Sequence, residues 1–197
     1  MVDIYLCRHG RTPLNAAGLL RGRLDPELDL IGQAEARDMA EALSGVGLCR
    51  VASSPLQRAM ATAELIAGAS GLEVEPDERW ADRAYGAFDG KSSDDVVAQY
   101  GSLDAAPGVE PAGDVAARAQ AALADIMADG PTDPVAIVTH DAVIRILLDA
   151  VTPAQSDLHS HLPPRTGSWS LLRHDENGWH LLVASSKDHP ATHGIGA

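Results

Sequence analysis

Apolar residues follow two rhythms along this chain, short continuous runs and a longer helical spacing, and they take turns. Residues 2–7 form an apolar run that ends at a polar, Gly-containing segment, the signature of a buried strand. Asp29 suits the N-cap of a helix to about residue 43, with Ala34, Met39 and Leu43 near one face. Residues 48–52 read as a second strand. Ser53-Ser54-Pro55 then opens a helix with Ser54 as N-cap and Pro55 at its first position, carrying Leu56, Ala59, Met60, Ala63 and Ile66 at helical spacing. A third strand is expected near residues 72–74, and helical spacing returns over 114–128. Residues 135–139, apolar and β-branched, make the clearest strand, followed by a helix through Ile144 and Leu148 to about Val151. Near the end, 168–173 and 179–183 flank Asp175-Glu176-Asn177-Gly178, a hairpin signal.

Residues 76–113 break both rhythms. Gly, Asp, Ser and Pro interrupt them, and only 92–100 reads as a short helix. Inside a compact domain, such a stretch is more often an active-site cover than filler. Strands alternating with helices predict an α/β domain with a mostly parallel sheet and helices on both faces. The expected layout is one domain over 1–185, with the cover inserted and 186–197 as a flexible tail. In such sheets ligands bind beyond the carboxyl ends of the strands, so chemistry is sought just after each one.

Composition narrows the classes. The 197 residues carry 15 Lys+Arg against 28 Asp+Glu, a formal net charge of −13, which argues against nucleic acid or an anionic membrane as partner. No apolar run nears the roughly 20 residues of a membrane span. The start lacks the charge and apolar stretch of a signal peptide, so a cytoplasmic location is expected. Cys7 and Cys49 are too few for a disulfide scaffold or Cys-rich metal site. The charge is uneven: residues 1–23 hold Arg8, Arg11, Arg21 and Arg23 against Asp3 alone, 4 − 1 = +3.

Those cations meet the strand ends. The first strand delivers Arg8-His9-Gly10-Arg11-Thr12, the second is followed by Ser53-Ser54 and Arg58, and the fourth ends in Thr139-His140-Asp141. Two histidines and two arginines thus converge at one edge. A neutral imidazole nitrogen attacks phosphorus, and guanidinium forks suit the oxygens of a transferring phosphoryl group. The set reads as phosphoryl transfer without metal or cofactor.

These blocks resemble the histidine phosphatase superfamily, in the branch of cofactor-dependent phosphoglycerate mutases and broad-specificity phosphatases. The matching residues are Arg8-His9-Gly10-Arg11-Thr12 with Asn15, Gly22, Asp25 and Gly32. Next come Ser53-Ser54, Arg58-Ala59 and Thr62-Ala63, Tyr85-Gly86 with Gly90, and Val138-Thr139-His140, in the family's order over about residues 2–151. The resemblance implies a three-layer phosphoglycerate mutase-like domain. It implies that His9 becomes a phosphohistidine, that Arg8, Arg58 and His140 bind the phosphoryl group, and that Asn15 and Gly22 orient it. The family's proton-donating acid falls on Asp82, where its usual residue is Glu, one methylene longer. Asp141 is the rival, at the place where the sister branch of acid phosphatases and phytases puts its donor. Arg21 stands where related phosphatases often have an uncharged polar residue, and hints at a substrate with a second anionic group.

Other motifs fail. Cys7 lacks the Arg six positions on that a tyrosine-phosphatase nucleophile needs, and residues 86–92 resemble a P-loop one residue short. His159 and His161 could take zinc, but with His174, His180, His189 and His193 they read as surface histidines. The expected function is a metal-independent phosphomonoesterase acting through His9 on a small phosphorylated substrate, with no cofactor. A mutase and a non-catalytic phospholigand sensor are the alternatives. A homodimer through an edge or the hairpin would be unsurprising.

Overall fold

The computed structural model describes residues 1–155 and 162–194. Six strands form one sheet in the order β3-β2-β4-β1-β5-β6. They are β1 (Val2–Arg8), β2 (Arg50–Ser53), β3 (Val74–Pro76), β4 (Val135–Thr139), β5 (Trp169–Asp175) and β6 (Gly178–Ser186). Pairings β1–β4, β2–β4 and β2–β3 are parallel, whereas β5 and β6 run antiparallel. Six helices complete the described fold: α1 (Pro13–Ala16), α2 (Leu30–Leu43), α3 (Gln57–Ser70), α4 (Ser93–Tyr100), α5 (Ala112–Ala128) and α6 (Asp141–Val151). This is the expected three-layer α/β domain.

Period-two alternation in the central strands divides the core. Ile4 and Leu6 of β1, with Val135 and Ile137 of β4, pack under α5 and α6 against Val115, Leu123, Val143 and Leu147. Tyr5, Cys7, Ala136 and Val138 point the other way, under Met39 and Leu43 of α2 and Ala63 and Ile66 of α3. Both faces are covered, which is why the central strands read as unbroken apolar runs. Among the described residues no helix is long and apolar enough to cross a membrane.

Several boundaries differ from the sequence reading. Helix α3 starts at Gln57, and its N-cap residue, Leu56, makes no side-chain cap bond. The Ser54 hydroxyl expected to cap it accepts the Leu56 N–H and bonds to His140 instead, so the site has claimed the cap. In the hairpin, Glu176-Asn177 make the turn, and Gly178, at φ 105°, opens the return strand. Helix α5 begins two residues early, at Ala112. As far as residue 194 the tail is not loose: Pro190 is buried, the Trp169 indole donates to the Asp188 carbonyl at 3.1 Å, and His193 packs edge-on against Trp169. His159 and His161 lie outside the described residues.

The cover packs Tyr85, Val96 and Ala106 around Leu20, from the loop after α1, with Phe88 and Tyr100 against them. The P-loop-like stretch forms a short 3-10 turn there, Gly86–Phe88. At the far sheet edge, the Gln155 amide bonds to both the N–H and the C=O of Leu181, so strand addition to β6 at that point would have to displace it.

Candidate active site

Strands β1, β2 and β4 end side by side, and the residues after them make one cup. His9 is fully buried and within 5.0 Å of His140, centroid to centroid. Its Nδ1–H donates to the Gly10 carbonyl at 2.6 Å, so Nε2 carries the lone pair and has no hydrogen-bond partner. The tight turn depends on glycine: a Cβ on Gly10 would overlap the Gly32 carbonyl oxygen. Thr62 ties this turn to α3, accepting the Gly10 N–H and donating to the Arg58 carbonyl.

Arg58 reaches up from the first turn of α3 with no solvent exposure. It donates to the carbonyls of Leu24 (2.7 Å) and Gly22 (3.1 Å) and to Asp82 Oδ2 (3.0 Å). Gly22, at φ 49°, has no room for a side chain, because a Cβ would overlap the Asp89 carboxylate. Arg8 bonds to the Pro164 carbonyl and lies 3.7 Å from Asp141. In α1, Asn15 Oδ1 accepts from the N–H and hydroxyl of Thr12, and its Nδ2 is buried without a partner. Arg21 bonds to the Leu19 carbonyl at 2.9 Å with its Nε buried and unpaired. Arg23, by contrast, is a surface residue, 3.7 Å from the exposed Glu78.

His140 Nε2 lies 2.7 Å from Ser54 Oγ. Ser54 Oγ also accepts the Leu56 N–H; with its own hydroxyl proton given to Nε2, the ring proton of His140 sits on Nδ1. That Nδ1 faces Asp82 Oδ2 at 3.7 Å. Asp82 is buried, and its other oxygen accepts the Arg83 N–H at 2.9 Å. Asp141 is engaged with Arg145 at 2.9 Å and lies 3.7 Å from Arg8.

One property unites these residues. The buried side-chain nitrogens without a partner among the described residues are Arg8 Nε, His9 Nε2, Asn15 Nδ2, Arg21 Nε, Arg58 Nε and His140 Nδ1. Every one belongs to the set that the sequence brought forward. Orphaned buried polar groups are costly, and a cluster of them has the character of an anion site. Charge follows the same logic. Burial, then Arg58 and Arg8, push the His9 imidazole well below its ordinary pKa, and burial with Arg58 does the same to His140. Burial raises the Asp82 pKa, against the pull of Arg58. Burial thus favours uncharged imidazoles and makes the Asp82 carboxyl easier to protonate, beside the guanidinium groups of Arg8, Arg21 and Arg58. Among the described residues no group of His, Cys, Asp and Glu could hold a metal.

The family model of the histidine phosphatase superfamily, branch 1, matches residues 4–186. The chain belongs to this superfamily. Curated histidine phosphatase relatives include the probable phosphoglycerate mutases GpmB of Serratia proteamaculans, 29% identical, and of Enterobacter sp. strain 638, 27% identical. Each alignment spans 189 residues, 91% of this chain and 88% of the relative. Among solved structures, a mycobacterial glucosyl-3-phosphoglycerate phosphatase complexed with VO3 superposes with a TM-score of 0.84 at 27% identity, covering 93% of this chain and 99% of that one. Bacillus stearothermophilus YhfR gives 0.85 at 26%, covering 96% and 99%. Family and neighbours together support phosphatase activity in this histidine phosphatase.

Sequence reasoning missed four residues around this cup. Ser54 was read as a helix cap, and Thr62 and Thr139 stood in the matched motifs without a site role. Arg118 carried no signal at all, lying on a helix that reads as a plain amphipathic one.

Proposed function

We propose that this protein is a metal-independent phosphomonoesterase working through a phosphohistidine on His9. The observation that carries the reading is that the six buried nitrogens left without a partner, His9 Nε2 among them, all belong to residues that the strand ends and motifs bring forward. Nε2 attacks phosphorus, the bond from phosphorus to the ester oxygen breaks, and the Asp82 proton passes to the departing alcohol. Water then attacks the phosphoryl group on His9, yielding its proton to the Asp82 carboxylate, and phosphate leaves. Arg8, Arg58 and the Nδ1–H of His140 hold the charge that builds on the equatorial oxygens, with Asn15 Nδ2 and the backbone at Gly22 beside them. Three guanidinium groups supply the positive charge that a dication would bring, and would repel one.

Asp82 is preferred over Asp141 as the acid because it is fully buried, beside Arg58 and 3.7 Å from His140, whereas Asp141 is partly exposed and turned to Arg145. Arg21 adds a cation beyond what one phosphoryl group needs. The phosphoglycerate in the names of the relatives and of the mycobacterial phosphatase points the same way, to a small phosphate ester that also bears a carboxylate. Against a mutase, only 49 residues (positions 91–139) separate Gly90 from His140, a short cover for retaining an intermediate away from water. The test is a panel of phosphomonoesters with chelator present. Rapid chelator-resistant hydrolysis is expected, strongest for carboxylate-bearing esters and lost in His9→Ala, with Arg21→Gln raising KM selectively for the acidic esters. Exchange between 2- and 3-phosphoglycerate outpacing hydrolysis would select the mutase, and binding without turnover the sensor.

A further inference from the structure

The strap that carries Asp82 is held by its main chain to an unusual degree. Arg118, on the second turn of α5, donates through Nη1 to the carbonyls of Arg79 and Ala81, both at 2.7 Å, and through Nη2 to the Asp82 carbonyl at 3.3 Å. The carbonyl between them, that of Trp80, accepts the Thr139 hydroxyl at 2.6 Å, one residue before His140. Four successive carbonyls, residues 79–82, are thus each taken by a side chain from α5 or β4.

Arg118 is in turn fixed by Glu110. Its Nε donates to Oε1 at 2.8 Å and its Nη2 to Oε2 at 3.2 Å, the paired geometry in which guanidinium and carboxylate are most strictly oriented. Glu110 Oε2 also accepts the Ala84 N–H at 3.0 Å, and its own N–H and C=O bond to the Ala84 carbonyl and to Arg83 Nε. Both side chains are largely buried, at 16% and 17% exposure. The pair therefore grips the strap on both sides of Asp82, and neither side chain bonds to a residue of the cup other than through the Asp82 main chain.

The grip has a purpose that the shorter acid supplies. Asp reaches one carbon–carbon bond, about 1.5 Å, less far than Glu. Its carboxyl lies 3.0 Å from Arg58 and 3.7 Å from His140, so contact with the cup depends on where the strap holds the Asp82 main chain. We propose that the Arg118–Glu110 pair is the positioning element of the proton donor, holding the Asp82 main chain at the height from which a short acid reaches the leaving oxygen. Resting on the reading of Asp82 as that donor, it adds two positioning residues that touch no substrate.

The test separates proton donation from phosphoryl binding by the leaving group. An alkyl phosphate needs a proton on its departing oxygen, and p-nitrophenyl phosphate needs one far less. In Arg118→Lys and Glu110→Gln, kcat for the alkyl ester should fall by about 10- to 100-fold, part of what a general acid contributes. Turnover of p-nitrophenyl phosphate should change by less than about threefold, with its KM and the vanadate affinity kept, which also certifies a folded cup. In an Asp82→Asn background the same substitutions should leave the alkyl-to-aryl ratio unmoved, because the group they position is gone. Equal losses on both substrates, or none, would overturn the proposal while Asp82→Asn alone still shows the selective loss. If Asp82→Asn itself shows no selective loss, the donor assignment fails first and the clamp's role with it.

Discussion

The Nδ1–H of His9 is committed to the Gly10 carbonyl at 2.6 Å, and that single bond decides which nitrogen can react. Burial and two nearby guanidinium groups keep the ring neutral to well below its ordinary pKa, while burial lifts Asp82 upward. The reactive form needs His9 bare and Asp82 protonated. The rate of kcat/KM should therefore rise as pH climbs through the lowered His9 pKa and fall as it climbs through the raised Asp82 pKa, an optimum on the acid side of neutral. In Asp82→Asn the falling limb should vanish along with most alkyl-ester turnover; a limb that survives unchanged would assign it to another group. The amide is the smaller change, because its side-chain oxygen can still accept from Arg58 Nη2, whereas Asp82→Ala removes that bond from a buried guanidinium.

Among elements, the turn after β1 and the start of α2 meet glycine to glycine. A Cβ on Gly32 would overlap the Arg11 backbone, just as one on Gly10 would overlap Gly32. Gly10→Ala should therefore cost about 1–3 kcal/mol in denaturant unfolding and lower turnover, since it shifts the turn that holds His9. A variant with unchanged stability would mean that α2 yields easily. Elements with strong periodicity were legible in sequence: β4 is buried on every residue, β1 on all but Asp3 and Arg8, and α6 along the face of Val143, Ile144, Leu147 and Leu148, and the Arg8-His9, Ser53-Ser54 and Thr139-His140 blocks sit where β1, β2 and β4 end. What was not legible depends on closure between distant segments. The start of α3 moved because the Ser54 hydroxyl serves His140, a partner 86 residues away. The Arg118 fork finds its carbonyls 36–39 residues back, across a cover without periodicity.

For the whole molecule, the uneven charge becomes spatial. A chain of net charge −13 gathers Arg8, Arg21 and Arg58 around one cup. An acidic body does not attract anions from a distance, so recognition is short-range and depends on the unpaired donors. Vanadate or phosphate at about a hundred times its Kd should stabilise the fold by about 2.7 kcal/mol, a rise in Tm of roughly 5–10 °C for a domain of this size. Arg58→Met should abolish that shift; a shift retained in full would place the anion elsewhere.

The central claim is a covalent phosphoryl group on His9. Rapid quenching of the enzyme with a phosphate-labelled alkyl ester should trap an acid-labile, alkali-stable label on the peptide that contains His9. It should form and decay at least as fast as turnover, be absent in His9→Ala, and accumulate if water attack is slowed. Full hydrolysis without such a label, or an undiminished rate in His9→Ala, would contradict the account.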